Sequence, residues 1–217
     1  MRSYTTLINI TTIDMPFNFR PPRKGPEYGY TGRELELDLV GKPIFPRSFA
    51  AELKKAADNE NGYVRRDKAM DLIRQFTPAD PTNPPKDFAR ELRLAVIEAL
   101  NLPDGDEVGF YSAVGTPVDL FHGVDAWVEL KYAPVGRPES VHHAVVTLDV
   151  TDRTGESYEK YKEDRTKADV IVKGIPEPTD AQYLKKIEIL GREIAHRIGD
   201  QLPRQWEAVP IIQEGTA

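Results

Sequence analysis

Between positions 123 and 151 the chain holds two apolar segments that alternate with a period of two. In GVDAWVELK, Val124, Ala126, Val128 and Leu130 fall on one side, with Asp125, Trp127, Glu129 and Lys131 on the other. In VVTLDVT, Val146, Leu148 and Val150 face one way and Thr147, Asp149 and Thr151 the other. Successive side chains of a strand point to opposite faces, so both segments predict strands with one apolar face. Pro134, Gly136 and Pro138 lie between them and predict a hairpin. If the two strands pair over a shared core, Asp125 and Asp149 project from the same side of the sheet. Two carboxylates held close on rigid strands repel each other unless a cation neutralises them. Oxygen ligands of this kind suit a hard divalent ion, Mg2+ or Mn2+. Such an ion orients a phosphate and activates a water for attack on it.

The rest of the chain predicts a mixed α/β or α+β fold. Further strand-like runs cover 107–114 and 168–172. Helices are expected over 49–59, with Ser48 as cap, and over 66–76, where Ala69, Met70, Ile73 and Phe76 recur at helical spacing. The strongest helix is 87–100, with Phe88, Leu92, Ala95, Val96 and Ala99 on one stripe, stopped by NLPDGD. A last helix, capped by Thr179 and reaching Gln201, carries Tyr183, Ile187, Leu190, Ile194 and Ile198. Of the 18 prolines, many cluster at 21–46, 78–85 and 176–178. The stretch PFNFRPPRKGPEYGYTG reads as an extended arm with exposed aromatics. The segment TPADPTNPP reads as a boundary. The expected division is a proline-rich helical extension over 1–86, an α/β core over 87–201 and a tail over 202–217.

Several function classes are excluded. There is no cysteine, which removes disulfides, thiolate zinc sites and cysteine nucleophiles. No apolar run approaches the roughly 18–20 residues of a membrane span, and MRSYTTLINITTIDMPF lacks the pattern of a secretory signal. A cytoplasmic location is the expectation. No GxxxxGK[ST], strand-borne GxGxxG, HExxH or GxSxG is present. The formal net charge of −6 rules out a uniformly basic coat for nucleic acid. Its distribution is uneven. The first 86 residues hold 14 Lys/Arg and 11 Asp/Glu, net +3, and the remainder 15 and 24, net −9.

GVDAWVEL, a turn, then VVTLDVT resembles the core of the PD-(D/E)XK nuclease superfamily. Its motif places an aspartate at the entry of one strand and an (Asp/Glu)-X-Lys in the next. Asp125 and Asp149 match the two acidic positions. The resemblance implies a restriction-endonuclease-like αβββαβ core, a mixed central sheet flanked by helices, Mg2+ or Mn2+ as cofactor and DNA as substrate. It also implies a helix-borne glutamate, for which Glu91 and Glu98 on the helix 87–100 are the candidates. Asp125, Asp149, Glu91 and a lysine would then be catalytic, with Asp125, Asp149 and Glu98 holding the metal. The motif lysine is replaced by Thr151. Lys167 is the preferred substitute, Lys131 the second, and Lys160 and Lys162 rank lower. A non-catalytic protein- or nucleic-acid-interaction module on the same scaffold is the alternative reading.

Other residues carry weaker signals. Asp119 and His122, in the turn-rich approach GTPVDLFHGVD, are close enough in sequence to enter the site, His122 as base or ligand. Arg23, Lys24, Arg65 and Arg66 are candidate phosphate contacts, and Trp127 a candidate base-stacking residue. Against these stand ordinary roles: solvated charge for the basic residues, packing for Trp127, a loop hydrogen bond for His122, a solvated helix face for Glu91 and Glu98. His142 and His143 are adjacent in a strand and point to opposite faces, so they would not share a metal. The arm's aromatics offer a surface to a protein partner, and a homodimer is compatible with the reading.

Overall fold

The computed structural model describes residues 32–59, 61–151 and 168–211. In chain order these form α1 (Gly32–Leu39), α2 (Arg47–Ala56), α3 (Arg66–Phe76), α4 (Asp87–Leu100), β1 (Val108–Ser112), α5 (Pro117–His122), β2 (Ala126–Pro134), β3 (His142–Val150), β4 (Val170–Val172), α6 (Tyr183–Gly199) and β5 (Trp206–Ala208). Among the described residues no helix is long and apolar enough to cross a membrane.

The sheet is open and mixed. β1, β2 and β3 are antiparallel neighbours, and β4 runs parallel to β3. β5 pairs with the far end of β2, Tyr132 to Pro134, on the edge that β1 occupies further back. The hairpin forms as the alternation requires, with Ala126 opposite Leu148 and Val128 opposite Val146.

Helices cover both faces. On one side α4 and α6 bury Phe88, Leu92 and Val96 with Ile187, Leu190, Ile194 and Ile198 against Ala126, Val128, Leu130, Val146 and Leu148. The two helices approach closely at Gly191, where a Cβ would stand 2.5 Å from that of Ala95. On the other side Phe49, Leu53 and Ala56 of α2, Ala69, Met70 and Ile73 of α3, and Val118 of α5 close over Tyr111 and Trp127. The face that carries the polar positions of the alternation is therefore a second core.

That core overturns one reading. Trp127 is not available to stack a base: it is fully buried, its ring 4.9 Å from that of its cross-strand partner Tyr111. Glu129, next along the same face, is also buried. It survives there because Arg74 Nε donates to it at 2.6 Å, His143 Nδ1 lies at 2.7 Å and Trp127 Nε1 donates at 3.3 Å. A buried charge persists only when paired in this way.

Helix ends depart from expectation in small, explicable ways. α2 starts at Arg47 behind Pro46, without a side-chain cap from Ser48. α6 starts at Tyr183 rather than after Thr179, because Asp180 turns the chain first and accepts from Gln182 N at 2.7 Å. α4 ends where NLPDGD predicts, on Asn101 in the left-handed conformation, φ 54°.

Candidate metal centre

Asp125 stands at the entrance of β2 and is fixed by three bonds. Its N–H donates to Leu148 O at 2.9 Å, its carbonyl accepts from Ala113 N at 2.7 Å, and its Oδ2 accepts from Val150 N at 2.7 Å. The β2–β3 ladder ends at the pair Ala126–Leu148, and the Asp125 N–H steps back to bond Leu148 O, so Asp125 lies at the break in regular pairing, near enough to Asp149 to feel its charge. Both aspartates are 4% exposed.

The approach to Asp125 is a helix where the sequence suggested turns. Thr116 caps α5, its Oγ1 accepting from Val118 N at 3.2 Å, Pro117 occupies the first turn, and Gly123 ends the helix at φ 62°. Threonine before proline, with glycine closing the segment at position 123, is the start and stop signal of this short helix. α5 delivers Asp119, whose Oδ2 accepts from Gly115 N at 2.7 Å. The α1 helix, also not anticipated, delivers Glu36.

Carboxylate oxygens of Glu36, Asp119 and Asp125 all lie within 4.8 Å of one another. Burial, the nearby Glu36, then Asp119 and Asp149, push the Asp125 carboxyl up to about 9, against the opposing pull of the Val150 N–H. Without a counter-charge, Asp125 therefore holds a proton at neutral pH. A bound divalent cation would reverse this, and an all-carboxylate donor set fits a hard, oxygen-preferring ion.

Other candidates lie elsewhere. Glu91 points toward Tyr183 of α6, where burial followed by the Glu91 carboxylate pushes the tyrosine hydroxyl up. Glu98 is exposed on α4. The helix-borne glutamate near Asp125 comes from α1, not α4. His122 is buried with its Nε2 2.9 Å from Val64 O, a structural bond. Lys131 donates to Pro210 O at 3.3 Å and sits six residues along β2 from Asp125, about 20 Å in an extended strand. Thr151 is buried and donates its N–H to Val172 O at 2.9 Å. Arg65 is exposed, 3.9 Å from Asp58. Arg66 reaches Thr147 Oγ1 at 3.4 Å, at the rim of a groove it shares with Arg74 and His143. Arg23, Lys24, Lys160, Lys162 and Lys167 lie outside the described residues.

Comparison with family models, with curated proteins and with solved structures returns no match. The functional reading therefore rests on the site.

Proposed function

We propose that this protein is a metal-dependent phosphodiesterase acting on DNA, with a nuclease-like active site centred on Asp125. The observation that carries the reading is the convergence of Glu36, Asp119 and Asp125 within 4.8 Å, beside Asp149. These side chains come from α1, α5 and the β2–β3 hairpin, so the fold brings distant carboxylates together at a cost that a cation offsets. The mixed sheet and the Asp125–Asp149 hairpin are compatible with the PD-(D/E)XK core that the motif resembles.

Glu36, Asp119, Asp125 and Asp149 would hold the ion, Mg2+ or Mn2+. When bound, it supplies Lewis-acid polarisation of a phosphate oxygen and a water of lowered pKa. In the hydrolysis, the water oxygen attacks phosphorus, the bond from phosphorus to the leaving sugar oxygen breaks, and the proton released by the water ends on that oxygen or in solvent. The bonds from Leu148, Ala113 and Val150 hold Asp125 in place for this. The solvent-accessible Arg65 and Arg66 are candidate backbone contacts. Incubation of the full chain with plasmid and with single-stranded DNA, in Mg2+ or Mn2+, tests the proposal. The parent should cleave, and Asp125→Asn and Asp149→Asn should not. Equal background from all three would refute it.

A second reading is favoured by Thr151. A buried threonine occupies the motif's lysine position, as in a scaffold that binds nucleic acid or protein without cutting. Binding of DNA by the parent with no cleavage in either metal would select this reading.

A further inference from the structure

The outer edge of β3 is closed by side chains where its strand partner runs out. β4 pairs with β3 only from Leu148 to Val150. Nearer the start of β3, side chains take the main-chain groups of Thr147 and Val145 on that same edge. Asp169 Oδ2 accepts from Thr147 N at 2.8 Å and from Thr147 Oγ1 at 2.7 Å, and Asp169 N donates to Thr147 O at 3.0 Å. Gln201, just past the end of α6, serves Val145: its Oε1 accepts from Val145 N at 2.9 Å and its Nε2 donates to Val145 O at 2.9 Å. A carboxamide carries the donor and the acceptor of a peptide group, so Gln201 stands where the peptide of a next strand would stand. The Nε2 also donates to Arg197 O at 3.1 Å. That carbonyl is among the last of a helix, which have no partner within it. Its neighbours are taken by main-chain N–H groups: His196 O by Asp200 at 3.0 Å, Ile198 O by Gln201 at 2.9 Å and Gly199 O by Leu202 at 3.2 Å. One exposed carboxamide therefore completes both a helix end and a strand edge.

We propose that Gln201 guards this edge: its carboxamide fills the strand-addition position on β3 and keeps the edge from pairing with an extended segment of a second copy of this chain. The inference is independent of the hydrolytic reading above. An open row of N–H and C=O groups is a template for another chain, and covering or charging the edge suppresses such pairing. The stretch at risk is AVVTLDV, Ala144 to Val150, which is rich in β-branched residues, carries one charge and has no proline. Segments of that composition self-associate when their edge is exposed. Asp169 protects Thr147 with a charge, and Gln201 protects Val145 with a neutral copy of a peptide. The bonds explain the residue type. A glutamate would offer no hydrogen to Val145 O or Arg197 O, and an asparagine is one methylene shorter.

The test uses the full chain as parent, Gln201→Ala, Gln201→Lys and, as a control at another exposed glutamine, Gln205→Ala. Amide hydrogen exchange at Val145 reports the edge bond, and sedimentation velocity over a range of protein concentrations reports association. Gln201→Ala and Gln201→Lys should both speed Val145 exchange about 10-fold, the effect of one hydrogen bond. Only Gln201→Ala should form species larger than those of the parent, growing with concentration, because a lysine on the edge repels strand addition without making the lost bonds. Gln205→Ala should match the parent in both measurements. If Gln201→Ala does not fold, Gln201→Asn takes its place with the same expectation. Unchanged Val145 exchange in the Gln201 variants overturns the proposal. Faster exchange with no added association in any variant also overturns it, leaving Gln201 as a fastening for α6 alone. Equal association of the alanine and lysine variants overturns it as well, since general loosening of the fold would then be the cause.

Discussion

Glu36 and Asp125 meet across the fold: a side chain from the N-terminal helix α1 and one from the entrance of β2 bring carboxylate oxygens within 4.8 Å, with Asp119 as the third member. Burial first, and then the charges of Glu36, Asp119 and Asp149, push the Asp125 carboxyl up to about 9 against the pull of the Val150 N–H. Further along the same face Glu129 is held by Arg74 and His143, and the two sites behave differently under mutation and pH.

The compensated site is the pair Arg74–Glu129. Arg74→Ala leaves Glu129 buried with only His143 and Trp127 as partners. Removing one partner of a buried pair costs about 3–5 kcal/mol, and urea unfolding of the variant should show a loss in that range. Burial alone would raise the Glu129 carboxyl, but the His143 hydrogen bond and then Arg74 outweigh it and hold the carboxyl below its ordinary value. Its stabilising contribution is therefore complete above the unfolded carboxylate pKa, and is lost as pH falls from there through the folded value. Glu129→Gln should flatten that acid limb of the stability curve.

Trp127 is a packing residue. Trp127→Ala should cost about 3–5 kcal/mol by leaving a cavity beneath α3, measured by denaturant unfolding. If the variant instead keeps its stability and loses affinity for single-stranded DNA, the buried assignment is wrong.

The α4–α6 contact has no room at Gly191. A Cβ there would meet the Ala95 Cβ at 2.5 Å and the Ala95 backbone carbon at 2.9 Å. Gly191→Ala should lose about 1–3 kcal/mol through overpacking, read as a lowered Tm, whereas the solvent-facing Leu184→Ala should change little.

Period and spacing made much of this fold readable. The helices over 66–76 and 87–100 and the β2–β3 hairpin follow from apolar spacing, which local geometry enforces wherever a face is buried. What the sequence concealed is which side of the hairpin meets solvent. Trp127 and Glu129 read as a polar face because alternation reports two faces, not what covers the second, and α2 and α3 arrive from before the proline segment. The same limit applies at the site. Asp125 and Asp149 stand out as charges in apolar strands. Glu36 sits in a helix of eight residues with no apolar stripe buried enough to announce it, and only the tertiary fold brings it to Asp125. β5 was hidden for another reason: three residues after the last helix are too few to show a period.

The central claim is that Asp125 and its neighbours hold one divalent cation, and thermal unfolding with and without Mn2+ measures it most directly. The account predicts that Mn2+ at about a hundred times its dissociation constant stabilises the parent by about 2.7 kcal/mol and raises its Tm. Asp125→Asn, which replaces a carboxyl already protonated at neutral pH, should keep a metal-free Tm close to that of the parent and lose the Mn2+ response. A parent indifferent to Mn2+ and Mg2+, or a variant that responds as the parent does, would contradict it.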